Sequence, residues 1–181
     1  MPRQSIHVEP CGMVATARHY LRDLVYGAND GIVTTFAVVA GVAGGELAAS
    51  VVLIIGAANL AADGVSMGVG NLLAIRAHES ARAALDLPEE EAYPWKHGLA
   101  TLAAFVGAGA VPLVPYLLPL PPEHRLAGSA TMTMAALFGV GAARAAVTVD
   151  RWWSTGLETL SLGAVVAVAA FGAGWLIACA T

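Results

Sequence analysis

Three long stretches of this 181-residue chain carry no charged side chain: Gly98 to Pro122, Leu126 to Ala143 and Thr159 to Thr181. Each is close to or above the roughly 20 apolar residues that a helix needs to cross a bilayer core. Two further apolar stretches, Gly31 to Gly45 and Leu47 to Ala62, are separated by the single carboxylate Glu46. Extended through Asp30 on one side and Asp63 on the other, they complete a set of five spans. The whole chain is 57% hydrophobic and 12% charged, and the charged share is about half that of a soluble domain. It therefore lacks the polar residues that would cover a soluble surface. None of the segments alternates with period two, which argues against a transmembrane β-barrel. The expected fold is an all-α integral membrane protein with a tail over residues 1–19 and a five-helix unit over 20–181. A short loop, 76–97, joins its second and third helices.

The nine Lys and Arg residues set an orientation. With the N-terminus inside, Arg3, Arg18, Arg22, Arg76, Arg82, Lys96, Arg144 and Arg151 all face the cytosol, and only Arg125 falls outside. The positive-inside rule thus places the N-terminus in the cytosol and the C-terminus outside. The first 20 residues show no apolar core of a cleavable signal, so the first span is expected to direct insertion itself. Cys11 and Cys179 then lie on opposite sides, which excludes a bridge within one chain. The formal net charge of -4 is spread over short loops and points to no nucleic-acid partner.

The second span holds the polar residues that matter. At about 100° per residue, Gly56, Asn59, Asp63, Ser66, Met67, Gly70 and Asn71 fall within an arc of roughly 140°. Ile54, Ala58, Ala61, Val65, Val69 and Leu72 occupy the opposite side and suit lipid. The first span repeats the pattern: Asp30, Thr34, Ala37 and Gly41 share a face, with Gly27 and Gly45 at its edge. These two faces are expected to pack together, bringing Asp30 and Met67 to similar depth, with Asn71 nearer the cytosol and Asp63 a turn deeper. Carboxylates inside spans are costly and mark ion or proton pathways, although a protonated, hydrogen-bonded structural carboxylate is the plainer alternative. Glycines four apart, as at Gly27 and Gly31 or Gly64 and Gly68, signal close helix packing. A lone Met is packing filler. Beside two carboxylates and an asparagine, Met67 becomes a candidate ligand that tilts an oxygen site toward Fe²⁺. No histidine is placed within a span, which argues against a histidine-rich zinc or copper site. In the loop, His78, Glu79, Asp86, Glu89, Glu90 and Glu91 form a candidate metal-collecting patch, with His78 and Glu79 as its entry, set against the plainer reading of a solvated connector.

Tyr26-Gly-Ala-Asn-Asp-Gly-Ile-Val-Thr-Thr, followed by Ala61-Ala-Asp-Gly-Val-Ser-Met-Gly-Val-Gly-Asn, resembles the vacuolar iron transporter family. Gly107-Ala-Gly-Ala-Val-Pro-Leu-Val-Pro-Tyr, the Leu137-Phe-Gly-Val-Gly stretch and the Gly156 to Gly174 segment agree, so the likeness covers roughly residues 20 to 178. It implies a five-helix, dimeric exporter of Fe²⁺ or Mn²⁺ driven by protons, with Asp30 and Met67 lining the pathway. It also implies a cell (inner) membrane in a bacterium, or a vacuolar-type membrane in a eukaryote. Many members carry a long Glu-rich metal-binding domain between spans two and three, where about twenty residues stand here, and Glu where Asn71 stands. The plant nodulin-like branch also lacks that domain.

Fe²⁺ or Mn²⁺ is then the transported substrate, with no permanently bound cofactor expected. An enzyme is disfavoured, since the few polar residues form no nucleophile–base pair. The competing classes are a non-transporting membrane scaffold, using its glycine faces only for helix association, and a transporter of another small cation. The orientation has a direct test. In sealed right-side-out cells, an impermeant thiol reagent should spare Cys11 in a single-cysteine variant; preferential labelling of Cys11 would reverse the topology.

Overall fold

The computed structural model describes residues 4–180 and is helical throughout its ordered elements. A short helix α1 (Met13–His19) leads into α2 (Leu21–Gly44), α3 (Ala49–Ala84) and α4 (Pro94–Gly109). A 3₁₀ turn (Val111–Leu113) and α5 (Val114–Leu117) follow, then α6 (Pro122–Arg144) and α7 (Trp152–Ala180). Among the described residues five segments are long and apolar enough to cross a membrane: α2, α3, the unit from Pro94 to Leu117, α6 and α7. The third is broken because Pro112 and Pro115 remove backbone donors in its last turns. Ser129 of α6, fully buried, donates its hydroxyl to the Pro112 carbonyl at 2.7 Å and so satisfies an acceptor at the break.

Glycine decides how the helices meet. A Cβ at Gly27 would lie 2.5 Å from the Thr101 carbonyl oxygen, and one at Gly31 would collide with the Phe105 carbonyl. Likewise Gly68 and Gly98 face one another, a Cβ on Gly98 falling 2.6 Å from the Gly68 oxygen. α4 thus lies backbone to backbone against both α2 and α3, as expected where lipid offers no hydrophobic drive and close van der Waals approach must supply association. Gly44 and Gly174 do the same for α2 and α7. Around these crossings Phe36, Val39, Val52, Leu60, Phe105 and Leu113 form the apolar core. Ile54, Val65 and Val69 of α3 are exposed, as the apolar side of that span predicts.

Two expectations change. α2 and α3 do not bury their polar faces against each other. α2 buries Ile32, Thr35, Phe36 and Val39 and packs chiefly on α4 and α7, while α3 buries Val52, Gly56, Leu60, Gly64 and Gly68 and packs chiefly on α4. Their shared partner α4 approaches on the glycine edges, which permit closer contact than the carboxylate faces do. Asp30 and Thr34, and Asn59, Asp63 and Met67, are left half-buried.

The loop 76–97 is also not a free connector. At 1.5 Å per residue the 36 residues of α3 reach about 54 Å, well beyond a hydrocarbon core of about 30 Å. α3 ends with Asp86 at φ 56, where the Leu87 and Asp86 amides donate back to Arg82 and Ala83, a Schellman stop without glycine. The return segment pairs with the N-terminal segment: Ile6 N–H donates to the Glu89 carbonyl and Glu89 N–H to Gln4, both at 2.8 Å. Arg18 in turn donates to the Val147 carbonyl between α6 and α7 at 3.2 Å. The N-terminal segment and both of these connections therefore cap one and the same end of the bundle.

Gly31→Ala should lower thermal stability in detergent by about 1–3 kcal/mol through overpacking against backbone. Gly107→Ala, whose Cβ meets nothing within 4 Å, should leave stability unchanged or raised. Equal melting curves for the two variants would contradict the close-approach account.

Candidate functional site

At the capped end the polar side chains form one connected network. Asp23, in the first turn of α2, is 2% exposed. Its Oδ1 accepts a hydrogen bond from the Asn71 side-chain amide at 2.8 Å, and the same amide nitrogen donates to the Thr101 hydroxyl oxygen at 2.8 Å. Thr101 donates its own proton to the His97 carbonyl one turn back along α4. His97 Nδ1 stands 2.5 Å from Asp23 Oδ2, and its Nε2 is 3.0 Å from Glu91 Oε2. Three spans, α2, α3 and α4, are therefore joined by side chains at one level. The glycine contact of Gly27 with Thr101 is what lets α4 approach closely enough for this.

Glu91 sits on the return segment. Burial pushes its carboxyl up, but the Tyr93 amide and the His97 and His7 rings outweigh burial and hold it below its ordinary value of 4.5. Glu79, buried near the end of α3, accepts the Glu90 and Glu91 amides on Oε1 at 3.1 and 3.0 Å and so fixes the path of that segment. His78 is exposed, 3.5 Å from Glu90. A cavity of about 510 Å³ opens here, its wall including Asn71, His78, Glu79, Glu91 and His97.

The deeper residues occupy a different setting. Asp30 lines a second groove of about 550 Å³ with Tyr26, Asn29, Val33, Arg144 and Leu162. Asp63 stands on α3, half-buried like Asp30. Met67 is half-buried and packed against the apolar core. Of the residues singled out in the sequence, Asn71, His78 and Glu79 thus gather at the capped end, while Asp30 and Asp63 lie deeper, on α2 and α3. Met67 lies on α3 between them, one turn from Asp63 and one from Asn71.

Two residues central to the network escape the sequence pattern. The third helix begins at Pro94, which puts His97 in the first turn of a span, contrary to the expectation of none there. Asp23 lies ahead of the polar face that the sequence pattern marks on the first span, which starts at Asp30. The signal is nonetheless present, for Asp23 precedes Asp30 by two helical turns and so shares its face. His97 could be flagged by Thr101 four residues later.

The fold and this arrangement define a polytopic helical membrane protein with ionisable residues held within reach of one another between its spans. The sequence profile of the VIT family matches residues 21–86 and 74–175, and the chain belongs to that family. Vacuolar iron transporter 1 of Eucalyptus grandis is 26% identical over 214 aligned positions, covering 87% of this chain and 86% of the relative. Vacuolar iron transporter 1 of Arabidopsis thaliana is 27% identical, covering 86% and 85%. A vacuolar iron transporter of Toxoplasma gondii is 45% identical over 64 residues, 35% of this chain. The plant alignments run longer than this chain itself, so those relatives carry residues that it lacks.

Asn71→Ala should cost about 1–3 kcal/mol, because Asp23 and Thr101 each lose a buried partner. Ser66→Ala, exposed on the same helix, should stay within about 0.5 kcal/mol. Thermal melts in detergent would separate the two, and a neutral Asn71→Ala would show that the network does not hold the three spans together.

Proposed function

We propose that this protein exports a divalent transition metal ion, Fe²⁺ or Mn²⁺, from the cytosol in exchange for protons. The capped end faces the cytosol in this reading, as the distribution of Lys and Arg implies. The observation that carries the reading is the pair Asp30 and Asp63, two half-buried carboxylates on separate spans, α2 and α3. Membership of a family whose named relatives are iron transporters supplies the cargo.

The chemistry follows from charge. Carrying a divalent cation out against an inside-negative potential costs roughly 4 to 5 kcal/mol at 100 mV, from about 2.3 kcal/mol per charge. Carboxylates bind either a metal ion or a proton, so a pair of them can load cargo on one side and protons on the other. Met67 supplies a soft donor one turn from Asp63, and Asn71 leads from the cytosolic cavity toward it. His78 and Glu79 form the mouth of that cavity. The half-buried carboxylate stripes of α2 and α3 are open on the single chain, and a homodimer that covers them would complete a pathway away from lipid.

Proteoliposomes holding the protein should carry Fe²⁺ or Mn²⁺ faster when protons run the opposite way. Asp30→Asn should abolish that coupled flux while the protein still folds. Met67→Leu, close in volume, should weaken Fe²⁺ flux more than Mn²⁺ flux. Wild-type flux from Asp30→Asn sinks the mechanism, and no flux of any divalent ion from the unaltered protein favours the scaffold class.

A further inference from the structure

The capped end contains a second constellation, separate from the in-span carboxylates. Glu91 is surrounded by imidazoles drawn from three places in the chain. His97 Nε2 lies 3.0 Å and His19 Nε2 3.4 Å from Glu91 Oε2, while His7 Nδ1 lies 3.4 Å from Oε1. The donor atoms of His19, Glu91 and His97 all fall within 4.8 Å of one another. The rings are close as well, His19 and His97 with centroids 5.0 Å apart and His7 and His19 5.8 Å apart.

We propose that His19, Glu91 and His97 form a binding site for a divalent transition metal ion, with Asp23 as the outer partner that orients His97.

Three independent features point to a cation. The first is an electrostatic conflict. His97 directs Nδ1 at Asp23, so in its neutral form the proton sits there and Nε2 presents a bare lone pair. That lone pair faces a carboxylate oxygen at 3.0 Å, which is repulsive unless a proton or a metal ion lies between them. The second is an unmet need. The Nε2 atom of His19 is buried and has no hydrogen-bond partner among the described residues. Buried polar atoms are ordinarily paired, and each left unpaired is destabilising. The third is spacing. Metal bonds of about 2.1 Å put neighbouring donor atoms about 3.0 to 3.4 Å apart, the range that Glu91 Oε2 keeps from both His97 and His19.

The surroundings favour the same site. A carboxylate on the far nitrogen of a ligating histidine fixes its tautomer and raises its basicity, the role Asp23 already plays. Asp23 is itself held by Asn71 and lies 3.6 Å from Arg22. The cavity of about 510 Å³ reaches His19, Glu91 and His97 and gives an ion a route in. Two imidazoles and a carboxylate suit Zn²⁺, Fe²⁺ or Co²⁺ rather than Mg²⁺ or Ca²⁺. Binding here needs no transport, so this inference stands apart from the exporter reading and fails separately from it.

Equilibrium dialysis of the purified full chain in detergent against Co²⁺ at about pH 7.5 tests the site. The unaltered protein should hold one more tightly bound Co²⁺ per chain than His19→Ala or Glu91→Gln, each of which should weaken that ion at least tenfold. Lowering the pH to about 5.5 should release it, because imidazoles must be neutral to bind metal. His19 makes no hydrogen bond through Nε2, so its removal leaves the Asp23–His97–Asn71 network intact. Co²⁺ should also raise the melting temperature of the unaltered protein, a readout that needs no variant. Equal Co²⁺ binding by the unaltered and His19→Ala proteins, or no rise in melting temperature, overturns the proposal and leaves His97 as a hydrogen-bonding partner of Asp23 and Glu91 only.

Discussion

The close approach of α4 to α2 and α3 is the contact on which everything else rests. Gly27, Gly31, Gly68 and Gly98 let three backbones approach to distances that any side chain would forbid. In lipid there is no water to squeeze out between helices, so this dense contact has to do the work that a hydrophobic core does elsewhere. It has a directional consequence. Because α2 and α3 each spend their small residues on α4, their carboxylate stripes are turned aside from the bundle's centre and left half-open. Beside α4, Gly31, Gly64 and Gly68 are buried, whereas Asp30, Asp63 and Met67 stay half-buried.

The same contact builds the polar network at the capped end. Once Gly27 sits against Thr101, the next turn of α4 places His97 beside Asp23 and brings Thr101 within reach of Asn71. A buried carboxylate in such a place is tolerable only when charged or strongly polar donors surround it. Asp23 has Asn71, the His97 ring and the nearby Arg22 guanidinium. Glu79 acts further out along α3, pinning the return segment by two amides so that Glu91 stays over the histidines.

The spans were legible because charge is all but excluded from a hydrocarbon core, and runs such as Leu126 to Ala143 leave no other reading. The polar stripe of α3 was legible for the same reason, since helical periodicity alone gathers Asn59, Asp63, Met67 and Asn71. Its partner was not. Both the glycine edge and the carboxylate face of α2 are plausible contact surfaces in sequence, and only the position of α4 decides between them. The histidine cluster was hidden more deeply. His7, His19, Glu91 and His97 are scattered across the first 97 residues, and no local spacing links them. The charge-free run begins only at Gly98, whereas the helix itself begins at Pro94, so charge alone leaves His97 just outside the span in which its burial is meaningful.

The pairing of Ile6 with Glu89 carries a consequence for how the molecule is made. The segment ahead of the first span finds its partner only after two complete spans have been synthesised and threaded. Until then His7 and His19 have neither Glu91 nor His97 beside them, and the first helix must enter the bilayer without its lid. The cap thus joins residues made before the first span to residues made after the second, and it can close only over a chain whose first two crossings have been completed in the correct sense.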